Sequence, residues 1–171
     1  DPALREKVAH HLLDQPAWAV LAGLLAYAVT GAKTLLVHWP IVQQVRWFGE
    51  AVNIRIALDG FSLFMLMAIQ LVSLCVGLYS INYMEHYGAK ANYYALLLVM
   101  VAGMNGLVLS QDLFSVYLFL EVAAVASYAL VAYGLEAEEL EASFKYLMLS
   151  VVASAAVLLA VTVLYGMTGA L

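Results

Sequence analysis

Residues 113–133, LFSVYLFLEVAAVASYALVAY, make an apolar run long enough to cross a bilayer, and the run carries one carboxylate, Glu121, near its centre. A charge at that depth costs roughly 2.5–3.5 kcal/mol on insertion scales, so ionisable residues inside a membrane face protein or water and are functional by default. Helical spacing puts Tyr117, Glu121, Ala124 and Tyr128 on one face, which gives the acid two phenols and a small residue as neighbours. That face is expected to look into a helix bundle. The structural alternative makes Glu121 a protonated acid, hydrogen-bonded to a neighbouring helix as glue.

The rest of the chain has the same character. Its hydrophobic fraction is 65% and its charged fraction 11%, against roughly 45–50% and 25% in soluble domains. The reading is an all-α, polytopic transmembrane bundle in contact with lipid. The lone Cys75 excludes an internal disulfide and a cysteine-built metal or iron–sulfur site within the chain. The net charge of −5 comes largely from Glu136, Glu138, Glu139 and Glu141, and no basic stripe exists, so nucleic acid is not a candidate partner. No motif for nucleotide, flavin or metal is recognisable, and no cofactor is expected. Adjacent His10 and His11 point about 100° apart on a helix and do not chelate as an i, i+4 pair would.

About five spans are expected. Residues 1–15 form an interfacial lead-in, and the opening on Asp1 without methionine suggests a processed or truncated piece. The first span covers 16–39, with Pro16 in its first turn and Trp18 and Trp39 at interfacial positions. Lys33 is expected to snorkel to the headgroups. Residues 40–59 are too polar to span; the near-alternation of Val45, Trp47, Val52, Ile54 and Ile56 with charged and polar residues suggests an extramembrane hairpin around Gly49 that caps the bundle.

The second span, 60–82, places Ser62, Gln70, Ser73, Gly77 and Ser80 within an arc of about 80°. Such a stripe either packs on another helix or lines hydrated space, and Gln70 inclines the reading towards water. The third span, 93–109, clusters Gly103, Asn105 and Gly106, a local loosening expected to face the helix of Glu121. The tight turn at Ser110, Gln111 and Asp112 makes the third and fourth (113–133) spans antiparallel neighbours, with Ser110 or Asp112 as N-cap. Asp112 is read as a cap rather than a second catalytic acid. An acidic loop, LEAEELEAS, leads to the fifth span, 144–165, where Ala153, Ala156 and Ala160 form a small face. Lys145, in the first turn, opposes the helix dipole, so a partner is expected: Glu141 one turn earlier, or a headgroup. Arg5, Lys7, Lys90 and Lys145 fall on one side of the membrane and Arg46, Arg55 and Lys33 on the other, which favours a cytoplasmic N-terminus in a prokaryotic cell membrane.

Several of these segments together resemble a known family. Asp59-Gly60-Phe61-Ser62, Asp112-Leu113-Phe114 followed by Tyr117 and Phe119-Leu120-Glu121, Ser127-Tyr128, Lys145-Tyr146-Leu147, Leu164-Tyr165-Gly166 and Thr168-Gly169 look like the antiporter-like ion-translocating subunits. These occur in respiratory complex I, in membrane-bound hydrogenases of the complex I lineage and in Mrp-type sodium/proton antiporters. The likeness covers about residues 40–171. It implies a partial antiporter-like fold, comprising the second to sixth helices of a longer architecture with inverted repeats. It also implies that Glu121 matches a glutamate that titrates during proton transfer, and that Lys145 matches the lysine opening the following helix.

The function expected is therefore translocation of H⁺ or Na⁺, with Glu121 as the proton-transfer group, Lys145 as a second candidate for ion translocation, and Gln70, Ser73, Asn105, Tyr117 and Tyr128 as pathway-lining candidates. The chain has no redox site of its own, so any electron transfer belongs to other subunits. Expected partners are other membrane subunits, including those that supply the missing antiporter-like helices. No basic residue of this sequence lies at the depth of Glu121, so one from outside these 171 residues is expected to approach it. A non-conducting scaffold for a redox or hydrogenase arm is the alternative, and a quinone-binding module is a third reading.

Overall fold

The computed structural model describes residues 22–23, 26, 41–47, 52–84 and 90–169. Ala22, Gly23 and Ala26 are helical; the rest of the lead-in and of the span expected at 16–39, with Lys33, lies outside the described residues. From residue 41 onward the order is β1 (Ile41–Trp47), β2 (Val52–Leu58), α1 (Gly60–Tyr83), α2 (Lys90–Leu109), α3 (Leu113–Val131) and α4 (Ala137–Thr168). All four helices are long and apolar enough to cross a membrane.

The hairpin expected at 40–59 is present as an antiparallel pair, with Val45 opposite Ile54 and Trp47 opposite Val52. Its second strand is tied to the turn between α2 and α3. The Gln111 amide donates to the Arg55 carbonyl at 3.0 Å, and Ile56 forms a bridge with Ser110. The hairpin thus closes the end of the bundle where α1 and α3 begin and α2 ends.

Both helices that begin there use the same start signal. The Ser62 amide donates to Asp59 Oδ1 and the Ser115 amide to Asp112 Oδ1, each at 2.7 Å. Each aspartate therefore satisfies one of the four orphan N–H groups of a first turn. Of the two caps considered for α3, Asp112 is the one used, and the Ser110 hydroxyl instead donates to the Gly106 carbonyl of α2.

The polar stripe of α1 packs on α2. Ser62, Gln70, Ser73 and Ser80 are all buried. Gln70 Nε2 donates to Asn105 Oδ1 at 3.0 Å, Ser62 Oγ donates to the Val108 carbonyl, and the Ser80 and Tyr93 hydroxyls are 2.7 Å apart. The α2–α3 contact rests on small residues instead. A Cβ built on Gly103 would stand 2.7 Å from the Ala123 backbone nitrogen, and one on Gly106 would enter the Phe119 ring. The glycines do face the helix of Glu121, as their clustering implied, and α2 runs through them as continuous helix.

The last helix differs from expectation. It starts at Ala137, so most of the acidic segment expected as a loop forms its first turns, with Glu138 and Glu139 where a helix N-terminus favours negative charge. At 32 residues and about 1.5 Å per residue it exceeds the roughly 30 Å of a hydrocarbon core, which leaves room for these turns outside it. It meets α3 through the Ser143 hydroxyl on the Tyr128 carbonyl and the Tyr146 ring on that of Tyr128, and Ser143, Leu147, Ser150, Ser154 and Val161 are among the less exposed positions of an otherwise exposed helix. Ala153, Ala156 and Ala160, the small face noted in the sequence, are exposed.

Two outcomes follow. Gly103→Ala drives a methyl group into backbone that has no rotamer to relieve it, so it is expected to destabilise by about 1–3 kcal/mol, read as a lower melting temperature of the detergent-solubilised protein. Asp59 stands outside the spans, and the Ser62 amide holds its carboxyl below the usual carboxylate range. Its contribution is present above the unfolded-state value and disappears as pH falls through the lower folded-state one. Amide hydrogen exchange in the first turn of α1 is expected to accelerate on acidification in that window, and Asp59→Asn, which retains a cap without a titrating group, is expected to lose that acceleration.

Candidate functional site

Glu121 sits in the third turn of α3, and its surroundings follow from the helix period. Phe119 and Ala123, which meet the two glycines of α2, are each two residues from Glu121, so the acid lies about 200° from both and leaves α3 on the side away from α2. Tyr128, on the other hand, is two helical turns on and shares the face of Glu121. That face meets α4: the Tyr128 and Tyr146 rings pack edge to face at 5.7 Å, and the Ser143 hydroxyl donates to the Tyr128 carbonyl at 2.8 Å. The Ser127 hydroxyl, which donates to the Ala124 carbonyl at 2.8 Å, also lies 3.0 Å from the Tyr146 phenol oxygen.

On the flank of α3 shared with Tyr128, Glu121 Oε1 is buried and has no hydrogen-bond partner among the described residues, a state it shares with Gln70 Oε1, the Tyr94 hydroxyl, Asp112 Oδ2 and Glu139 Oε2. An unpaired buried acceptor costs about 1–3 kcal/mol, which in natural proteins is offset by a catalytic role or relieved by a bound water or ion. Tyr117, one turn before, and Tyr128 flank the acid on its own face, as the spacing predicted. Asp112 accepts the Ser115 amide on Oδ1, the capping role read for it, while its Oδ2 is buried without a partner among the described residues.

The other residues singled out in the sequence lie elsewhere. Gln70, Ser73 and Asn105 belong to the α1–α2 seam, and Asn105 projects from a different flank of α2 than Gly103 and Gly106 do. The structure does not bring them to Glu121. Lys145 pairs with Glu141 at 2.6 Å, the one-turn partner its position called for, and both side chains are about two-thirds exposed. It lies two residues from both Ser143 and Leu147, hence about 200° from the face that α4 presents to α3. Sequence reasoning missed the serines of α4, of which Ser143 meets the Tyr128 carbonyl of α3. Their spacing, Ser143, Ser150 and Ser154 at i, i+7 and i+11, repeats that of Tyr128, Glu121 and Tyr117 read backwards, and was there to be found. Among the described residues no group of His, Cys, Asp and Glu is arranged to hold a metal ion.

Comparison with known proteins agrees with this architecture. The family model described as NADH-ubiquinone oxidoreductase (complex I), chain 5 N-terminus, matches residues 47–94. The one described as NADH:quinone oxidoreductase/Mrp antiporter, TM, matches residues 110–171. The chain is 34% identical over 119 residues to the D subunit of the Na(+)/H(+) antiporter of Bacillus subtilis, covering 70% of this chain and 24% of that protein. It is 32% identical over 155 residues to the N subunit of NADH-quinone oxidoreductase of Desulforudis audaxviator, covering 90% and 31%. Among solved structures, a chain of the Mrp complex from Dietzia sp. superposes with a TM-score of 0.81 at 30% identity, over 98% of this chain and 32% of that one. A chain of the membrane-bound sulfane sulfur reductase, an archaeal respiratory membrane complex, shares the fold with the same TM-score at 24% identity. The chain thus spans about a quarter to a third of the length of these relatives. Two family models in consecutive register, on a bundle that superposes on a chain of an Mrp complex, place it: the chain belongs to the antiporter-like membrane subunit family shared by complex I and Mrp antiporters.

Proposed function

We propose that this chain forms part of a subunit that translocates protons, or sodium ions, across a prokaryotic cell membrane, and that Glu121 takes up and releases the proton. The relatives it resembles are named as sodium/proton antiporter and NADH-quinone oxidoreductase subunits, which supports the class of activity. The observation that carries the role of Glu121 is its buried, unpartnered Oε1 in the α3–α4 seam. Asp112 Oδ2 is unpartnered as well, but Asp112 caps a helix start, whereas Glu121 stands in the third turn of a helix long and apolar enough to cross a membrane, where ionisable residues are functional by default.

Charge movement near such a carboxyl governs its proton. A cation drawn close favours the carboxylate, and its withdrawal favours the neutral acid. Among the described residues no lysine or arginine faces Glu121: Lys145 points away from α3 and is held by Glu141. No basic residue of the sequence lies at the depth of Glu121, so the cation is expected from partner membrane subunits of the complex or from further antiporter-like helices. Lys145 serves the same transfer from its outward face, as a charge linked to those neighbours. The acidic start of α4 and the N-terminal side lie in the cytoplasm, and the hairpin faces the other side.

Tyr117 and Tyr128 line the path beside Glu121. Gln70, Ser73 and Asn105 hold α1 to α2. Replacing Gln70 by Leu leaves the Asn105 amide without its partner, so the yield of assembled complex is expected to fall while the pumping rate per assembled complex stays near wild type. A pumping defect at full assembly would return those residues to the pathway. Glu121→Gln keeps shape and hydrogen bonding and removes the titration. Pumping in proteoliposomes is expected to collapse while assembly persists, and pumping at the wild-type level would leave only a scaffold.

A further inference from the structure

We infer that Tyr146 of α4 is a positioning residue for the proton transfer at Glu121, acting through Tyr128, whose phenol its ring holds in one orientation on the face of the acid. This inference rests on the role proposed for Glu121. Tyr128 is two helical turns on from Glu121 and on the same face of α3. Long side chains of a helix turn back towards its N-terminus, so the Tyr128 phenol reaches along α3 in the direction of the acid, and the two groups interact electrostatically. Residues 127 and 128 are in turn gripped from α4 at three points. The Ser143 hydroxyl donates to the Tyr128 carbonyl at 2.8 Å, the Tyr146 ring stands edge to face on the Tyr128 ring at 5.7 Å and 84°, and the Tyr146 phenol oxygen is 3.0 Å from the Ser127 hydroxyl.

The direction of that last bond follows from counting protons. A serine hydroxyl has one to give, and Ser127 spends it on the Ala124 carbonyl at 2.8 Å, which only accepts. In the contact with Tyr146 the phenol is therefore the donor and Ser127 Oγ the acceptor. That bond fixes the Tyr146 ring from its far end, and the fixed ring fixes Tyr128. An edge-to-face pair sets the positive edge of one ring on the negative face of the other, which a rotated Tyr128 would lose. What Tyr128 presents to Glu121 is an O–H dipole. In surroundings of low dielectric the potential that this dipole sets at the carboxyl depends on where it points. A phenol free to rotate would present a different potential in each rotamer, and the proton would be held unequally from one turnover to the next. Tyr146 takes no part in the transfer itself: it is nearly half exposed, and its ring and hydroxyl are spent on Tyr128 and Ser127.

The test is carried out in the assembled native complex. Tyr146→Leu is expected to slow pumping roughly fivefold, the scale of one lost aromatic pair, while Tyr146→Phe, which keeps the ring, retains most of the rate. In difference infrared spectra, the carbonyl stretch of protonated Glu121, identified as the band lost in Glu121→Gln, is expected to move in Tyr146→Leu and to stay in place in Tyr146→Phe. On a Tyr128→Phe background, where the phenol dipole is gone, Tyr146→Leu is expected to leave the band where Tyr128→Phe alone puts it. Wild-type pumping with an unmoved band overturns the inference. So does a slow Tyr146→Leu variant whose band stays in place, which shows packing alone, or a Tyr146→Phe variant as slow as the leucine one. A shift that persists on the Tyr128→Phe background overturns it too, since the effect then bypasses Tyr128. Tyr146→Met serves with the same outcomes should the leucine variant fail to assemble. If Glu121→Gln pumps normally, the proposed role of Glu121 fails on its own account, and the band still reports whether Tyr146 acts on its carboxyl.

Discussion

A polar side chain in hydrocarbon has no water to fall back on, so its partner must come from the protein itself. That constraint organises this bundle. Along the α1–α2 seam it is met in layers, with serine on carbonyl, amide on amide and serine on phenol, from Ser62 to Ser80, and Gln70 Oε1 alone of these side chains keeps an oxygen without a hydrogen-bond partner among the described residues. Interhelical hydrogen bonds of this kind contribute about 0.6 kcal/mol each on average, and up to about 2. Their larger effect is on specificity, because a helix rotated away from this register would strand Gln70 and Asn105 in lipid.

The central helix pair works by a different means. At Gly103 and Gly106 the α2 backbone comes within reach of the backbone of Ala123 and the ring of Phe119, so dispersion over a close contact replaces hydrogen bonding. A small-residue face against α2 frees the opposite face of α3 for other work. There lie Tyr117, Glu121 and Tyr128, and the bundle meets them with a helix whose contact face is rich in serine. The acid is thus held at one seam of a layered arrangement rather than at the centre of a ring. The two caps at Asp59 and Asp112 and the hairpin strapped to the α2–α3 turn hold the ends of α1, α2 and α3 in line beneath that seam.

Much of this was legible in the residues. Apolar runs of bilayer length, interrupted by short polar turns, leave helices as the only solution. The alternation in 40–59 could not be a span and is a hairpin. Asp112 was legible as a cap because its carboxyl stands three residues before a first-turn amide. The acidic segment before Phe144 misled because its charges read as a loop, whereas glutamates suit the first turns of a helix that projects beyond the hydrocarbon.

What the sequence determined by itself was the inventory: which stretches cross, which face of each is polar, and which carboxylate is stranded at depth. A helical period fixes the faces because it is a property of one segment alone. Which faces meet was decided only in the tertiary structure. The stripe of α1 and the acid of α3 are equally polar on paper, yet Asn105 and the two glycines project from different flanks of α2 and hold the two neighbours apart. The rotation of α4 that turns Ser154 inward and Lys145 outward is likewise a matter of packing, since a serine costs less to bury than a lysine, and Lys145 stays exposed beside Glu141.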